Sequence, residues 1–105
     1  MVTFYVENAM NKASSAWLRL PAELADYLLA ALGYESGDLV FFRELASNDL
    51  LSKIVSVLRQ FALGRGREFT SKGVNESMLR RQLAELQKVA ERARDSGTTV
   101  LLFNT

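Results

Sequence analysis

The segment from Trp17 to Phe42 constrains the fold most, because its order is apolar strand, proline, amphipathic helix, glycine-aspartate, apolar strand. Pro21 suits the first position of a helix, and it favours an extended conformation in the residue before it. Gly33 stands where the end of that helix favours a left-handed backbone. Gly37-Asp38 precedes a continuous apolar run, which predicts a turn into a strand that returns toward the first. The segment therefore predicts a strand-helix-strand unit.

The second half of the chain predicts two longer helices. Ser47 or Asn48 suits the N-cap of the first, and Gly64 suits its end. This helix has a wide apolar arc that needs partners on more than one side, so we predict that it is the central element of the core. The last helix has a narrower apolar stripe, which packs on the domain or, alternatively, forms a dimer seam. The stripe consists of Leu79, Leu83, Leu86, Ala90 and Ala93.

Together these patterns predict a single α+β domain, residues 1–105, in which a small mixed sheet packs against three helices. The predicted strands lie near residues 2–6, 15–20, 38–44 and 98–103, and the predicted helices span 21–33, 48–63 and 75–96. The first and last strands are apolar enough that both chain ends are expected in one sheet. Residues 38–45 also suit a helix, so both alternatives stay open for that run.

The order around Pro21 resembles the AbrB-like swapped-hairpin family of bacterial transition-state regulators and toxin-antitoxin repressors. The resemblance covers residues 14–45 and rests on Leu20-Pro21, Leu32-Gly33 and Gly37-Asp38. The family usually has Gly-Asn where this chain has Ala13-Ser14, and its helix is usually about one turn shorter. The resemblance implies a homodimer with interleaved strands that binds duplex DNA.

The composition excludes most enzyme chemistries. The chain has no histidine and no cysteine, so it lacks thiolate nucleophiles, disulfides, the usual zinc ligands and the commonest general base near neutral pH. No carboxylate pair stands in an apolar setting. We therefore predict a non-enzymatic protein without metal or cofactor. No signal pattern and no membrane-length apolar run appears in the sequence, so we predict a cytoplasmic location and no membrane partner.

Positive charge has no excess over the whole chain, since 13 Lys and Arg face 12 Asp and Glu. A nucleic-acid site must therefore depend on where the basic side chains lie. The loop from Gly64 to Gly73 places two arginines between glycines, a composition that suits an anion or a nucleic-acid backbone as well as a solvated connection. The candidate nucleic-acid-binding residues are Lys12, Arg19, Arg43, Arg65 and Arg67.

Two functions from different classes follow. The first is a DNA-binding regulator or antitoxin-like protein that acts as a homodimer on duplex DNA. The alternative is a small protein-protein interaction module, such as an immunity protein or an inhibitor of a toxin. Its candidate anchors are the aromatic residues Tyr5, Trp17, Tyr34, Phe41 and Phe42, most of which are also expected in the core.

Overall fold

The computed structural model describes residues 1–6, 17–34, 42–64 and 76–104. This part of the chain contains four strands and three helices, so the predicted α+β class is confirmed. In chain order the elements are β1 (Val2–Val6), β2 (Trp17–Leu20), α1 (Ala22–Ala31), β3 (Phe42–Leu45), α2 (Ser47–Ala62), α3 (Glu76–Asp95) and β4 (Val100–Asn104).

The four strands form one sheet in the order β2-β1-β4-β3, and all three pairings are antiparallel. The prediction of a mixed sheet was therefore wrong. Two helices, α2 and α3, separate β3 from β4. They run antiparallel, since the Arg80 guanidinium near the start of α3 lies 5.5 Å from the Phe61 ring near the end of α2. A helical pair of this kind brings the chain back to the end of the sheet that it left, and this makes the next strand antiparallel.

Both chain ends lie in one sheet, as predicted, and they form its centre, because β1 pairs with β4 over five residues. This pairing moves β2 and β3 to opposite edges. The expected return of β3 toward β2 is corrected, since β3 pairs with β4 of its own chain. Of the run that suited either a strand or a helix, Phe42–Leu45 is a strand, and residues 38–41 lie outside the described residues. Residues 15 and 16 of the predicted second strand also lie outside them.

One hydrophobic core fills the space between the sheet and the helices. Every second residue of β1 is buried in it, namely Val2, Phe4 and Val6, while the residues between them are half-buried. The whole predicted stripe of α3 is fully buried, which confirms that this helix packs on its own domain. Helix α1 contributes Ala25, Leu28, Leu29 and Leu32 to the same cluster.

Helix α2 is buried on one side only. Its buried residues are Leu50, Leu51, Ile54, Val57 and Phe61. The pattern predicted that neighbours would cover the whole apolar arc. Val55 is 43% exposed and Ala62 is also exposed, so the arc is covered only in part. The arc extends past the surface that α3 and the sheet cover.

The helix ends follow the glycines that the sequence predicts. Gly33, Gly64 and Gly97 have φ angles of 91°, 77° and 67°, and each follows the last turn of a helix. The start of each helix differs from its predicted residue by one. Pro21 is the cap of α1, and its carbonyl oxygen accepts a hydrogen bond from the Ala25 amide. Ala46 occupies the cap of α2, with no capping side chain, because β3 ends directly before it and leaves Ser47 inside the first turn.

We expect Leu83→Ala to lower the free energy of unfolding by about 2–5 kcal/mol, because the side chain is fully buried and the cavity would not collapse completely. Urea unfolding followed by circular dichroism measures this change. The exposed Val55 is the matched control, and Val55→Ala is expected to change the same free energy by less than about 1 kcal/mol. Equal losses in the two variants would contradict the assignment of the core.

Candidate functional site

The strand register divides the side chains of the sheet between two faces. Paired residues in an antiparallel sheet lie on the same face, and successive residues alternate. Phe4 pairs with Leu18 and with Leu102, and these residues face the helices. The residues between them face away from the helices, and we call this surface the outer face. Its described side chains are Thr3, Tyr5, Trp17, Arg19, Glu44, Leu101 and Phe103.

One row of the outer face is aromatic and apolar. Tyr5 pairs with Trp17 on one side and with Leu101 on the other. Leu101 is only 6% exposed although it lies apart from the main core cluster, and Tyr5 is half-buried. Trp17, at the edge of the sheet, is 51% exposed. In this row the exposed Trp17 side chain therefore lies next to the more deeply buried Tyr5 and Leu101.

The outer face carries opposite charges at its two edges. Arg19 is exposed on β2, two residues from Trp17 on the same face, which places their Cα atoms about 7 Å apart along the strand. Glu44 is exposed on β3 at the far edge, where its Oε1 accepts a hydrogen bond of 2.7 Å from the Thr99 hydroxyl. A partner for this surface is thus expected to be apolar at its centre and acidic beside β2.

A second cluster of polar side chains joins the end of α1 to α2 and β3. The Tyr34 ring lies 5.1 Å from the Arg43 guanidinium and 5.3 Å from the Lys53 ammonium. The Tyr34 hydroxyl donates a hydrogen bond of 3.4 Å to Asp49, and Lys53 forms an ion pair of 3.2 Å with the same carboxylate. Cation-π and charge-assisted contacts of this kind fix the helix end against its neighbours. Tyr34, Asp49 and Lys53 therefore have a structural role, which is to hold the end of α1 against α2.

The pKa of Tyr34 is raised to about 12. Burial of the phenol is the largest cause, and the negative charge and hydrogen bond of Asp49 add to it, while Arg43 opposes it. The neutral phenol therefore persists in the folded protein above the pH at which an exposed tyrosine ionises.

The structure does not bring the described candidates for nucleic-acid binding together. Arg19 lies on the outer face at the β2 edge. Arg43 lies on the helix side of the sheet at the β3 edge, beside Tyr34. The remaining candidates, Lys12, Arg65 and Arg67, lie outside the described residues.

The helix layer has a groove between α2 and α3 with a volume of about 500 Å³. It is lined by the buried Leu51, by the exposed Val55 of the apolar arc of α2, and by the charged Arg59, Glu91 and Arg94. The groove is wide open, and its rim has charges of both signs. It shows no convergent set of polar groups that would select one ligand.

Among residues 1–6, 17–34, 42–64 and 76–104, no cluster of three acidic side chains is placed to hold a metal ion. No helix in the same part of the chain is both long and apolar enough to cross a membrane. Comparisons with protein-family models, with curated proteins and with solved structures found no match. The AbrB-like resemblance therefore rests on the residues quoted for it.

Sequence reasoning identified Trp17, Tyr5 and Arg19 separately but not their common surface. The alternation of Val2–Val6 is a signal that one face of β1 differs from the other. The row that joins Trp17 to Leu101 depends on β1 lying between β2 and β4, and no local pattern specifies that order.

We expect Tyr34→Phe to remove a component of stability that depends on pH. In the unfolded chain the phenol ionises near its ordinary pKa of 10.0, and in the folded chain at about 12. Its contribution to folding is thus fully present below pH 10 and is lost as the pH rises from 10 toward 12. Urea unfolding of both proteins at several pH values gives the difference in free energy, which should shrink across this range. A difference that stays constant or grows would contradict the assigned contacts.

Proposed function

We propose that this protein is a non-enzymatic protein-binding module, of the kind represented by immunity proteins and toxin inhibitors, and that its contact surface is the outer face. The observation that supports this most directly is the exposure of Trp17, 51% of which is open to solvent on a sheet face that no described helix covers. A tryptophan in that position costs solubility without contributing to the core.

The composition of the outer face supports the proposal. Tryptophan, tyrosine and arginine are the residue types that contribute most to binding energy at protein interfaces. Here Trp17, Tyr5 and Arg19 lie on adjacent positions of two paired strands. Leu101 lies beside Tyr5 on the same face and is buried, so this side of the row is already packed before a partner binds, which reduces the cost of ordering it.

The DNA-binding regulator is the competing proposal, and the described residues support it less. A phosphate-binding surface needs several cations on one side of the molecule. Arg19 and Arg43 lie at opposite edges and on opposite faces of the sheet, and Arg43 stacks on Tyr34. The net charge of +1 adds no long-range attraction for a polyanion. Of the two candidate residues that the structure describes, only Arg19 is exposed, and it is the one that favours nucleic acid.

We expect Trp17→Ala to weaken binding to the cognate partner by about 30-fold or more. This corresponds to a loss of about 2 kcal/mol of binding free energy, which is typical of a central aromatic anchor. The partner is obtained by co-purification from the native host and is then titrated against the pure protein. Leu63, which is 62% exposed at the end of α2, offers a matched control on the helix layer, and Leu63→Ala should leave the affinity unchanged.

Trp17 also reports the contact directly, because it is the only tryptophan in the chain. Its emission should move to shorter wavelength when the partner covers the outer face. The same titration with duplex DNA at low salt is the control for the competing function. Tight binding of DNA that weakens steeply with salt and with Arg19→Ala, together with no stoichiometric protein partner, would overturn the proposal.

A further inference from the structure

The sheet has two edges whose outward backbone groups have no strand partner among the described residues, β2 and β3. Open edges pair readily with other strands, and proteins usually protect them with charges, proline or short length. The described part of each edge strand is four residues long, and the side chains differ between the two. The difference decides which edge accepts a second copy of the chain.

Symmetry restricts how an edge strand pairs with its own copy. A two-fold axis perpendicular to the sheet makes the two strands antiparallel and keeps both helix layers on one side. Paired residues then share a face, so the axis must pass midway between one residue and its own copy, and that residue is the centre of the register. Among the four described residues of each edge strand, only two registers of this kind pair three residues.

The β3 edge opposes self-pairing in both registers. Centred on Arg43, the pairing places Arg43 opposite the partner's Arg43. Centred on Glu44, it places Glu44 opposite the partner's Glu44. Like charges directly opposite each other destabilise a strand pair. This edge is therefore protected against a second copy.

The β2 edge favours one register. Centred on Arg19, it would place two arginines opposite each other and bring Pro21, which cannot donate a hydrogen bond, next to the ladder. Centred on Leu18, it places Leu18 opposite the partner's Leu18 on the helix side, next to the core that Leu18 already contacts. On the outer face the same register places Trp17 opposite the partner's Arg19, and Arg19 opposite the partner's Trp17.

We propose that two copies of this chain pair edge to edge through β2, in the register centred on Leu18, so that two four-stranded sheets form one sheet of eight strands. In this dimer Trp17 of each chain contacts Arg19 of the other, so the symmetry gives two equivalent cation-π contacts. The two outer faces become continuous, with both Trp17 side chains next to the axis. The homodimer expected from the sequence thus forms without interleaved strands, and it stands independently of the protein-binding function.

Sedimentation of the purified protein over a range of concentrations tests the dimer. We expect a monomer-dimer equilibrium whose dissociation constant rises about tenfold or more in Arg19→Glu, because two symmetric contacts are lost at once. Arg59→Glu makes the same change of charge on an exposed residue of α2, and it should leave the equilibrium unchanged.

Cysteine crosslinking tests the register, and the natural chain contributes no cysteine of its own. Directly opposite residues in an antiparallel pair have Cα atoms about 4.5–5.5 Å apart, within the range of a disulfide. Leu18→Cys should therefore give a covalent dimer under mild oxidation, and a mixture of Trp17→Cys and Arg19→Cys chains should form the mixed dimer in preference to either homodimer. Glu44→Cys on the β3 edge and Ser52→Cys on α2 are the controls.

Three results would overturn the proposal. The first is a protein that stays monomeric at the highest soluble concentration. The second is a dimer that Arg19→Glu and Arg59→Glu weaken equally. The third is a crosslink that forms through Glu44→Cys but not through Leu18→Cys or the mixed pair. None of these results bears on whether Trp17 contacts a different protein, so the two proposals fail separately.

Discussion

The rest of the structure depends on the antiparallel pairing of β1 with β4. It joins residues 2–6 to residues 100–104, so almost the whole chain forms the loop that the pairing closes. Closing a loop of that length has a large entropic cost, which the apolar faces of the two strands and the helices packed on them must offset. Once β1 and β4 occupy the centre, β2 and β3 are confined to the edges, and the helices share one side of the sheet. The positions of the two open edges are a consequence of this one pairing.

The local elements were predictable because their signals are local. These signals are a proline before α1, a glycine after each helix and an apolar stripe along α3. Each acts within one or two turns, and the structure has a helix at each predicted position. The order of the strands was not predictable in the same way. The sequence suggested that β3 returns to β2, and nothing within that segment shows that β4, at the other end of the chain, pairs with β3 instead. Pairings of this kind are decided by the whole core.

The candidate site shows the same limit at the level of single residues. Arg19 and Arg43 are both arginines within predicted strands, and the sequence alone does not distinguish them. Successive residues of a strand lie on opposite faces, so a shift of the register by one residue moves every side chain to the other face. The register places Arg19 on the outer face and Arg43 beside Tyr34 on the helix side. Trp17 suited the core as well as an anchor on sequence grounds, and its place at an edge of the sheet leaves it half open to solvent.

The strand order determines both edges of the sheet and the neighbours on the outer face. A map of backbone nuclear Overhauser contacts in the isolated protein tests it most directly. We expect cross-strand contacts from Phe4 to Leu18 and to Leu102, and from Leu102 to Arg43. Contacts that join β2 to β3, with none between β1 and β4, would contradict it and would favour the interleaved arrangement of the swapped-hairpin family.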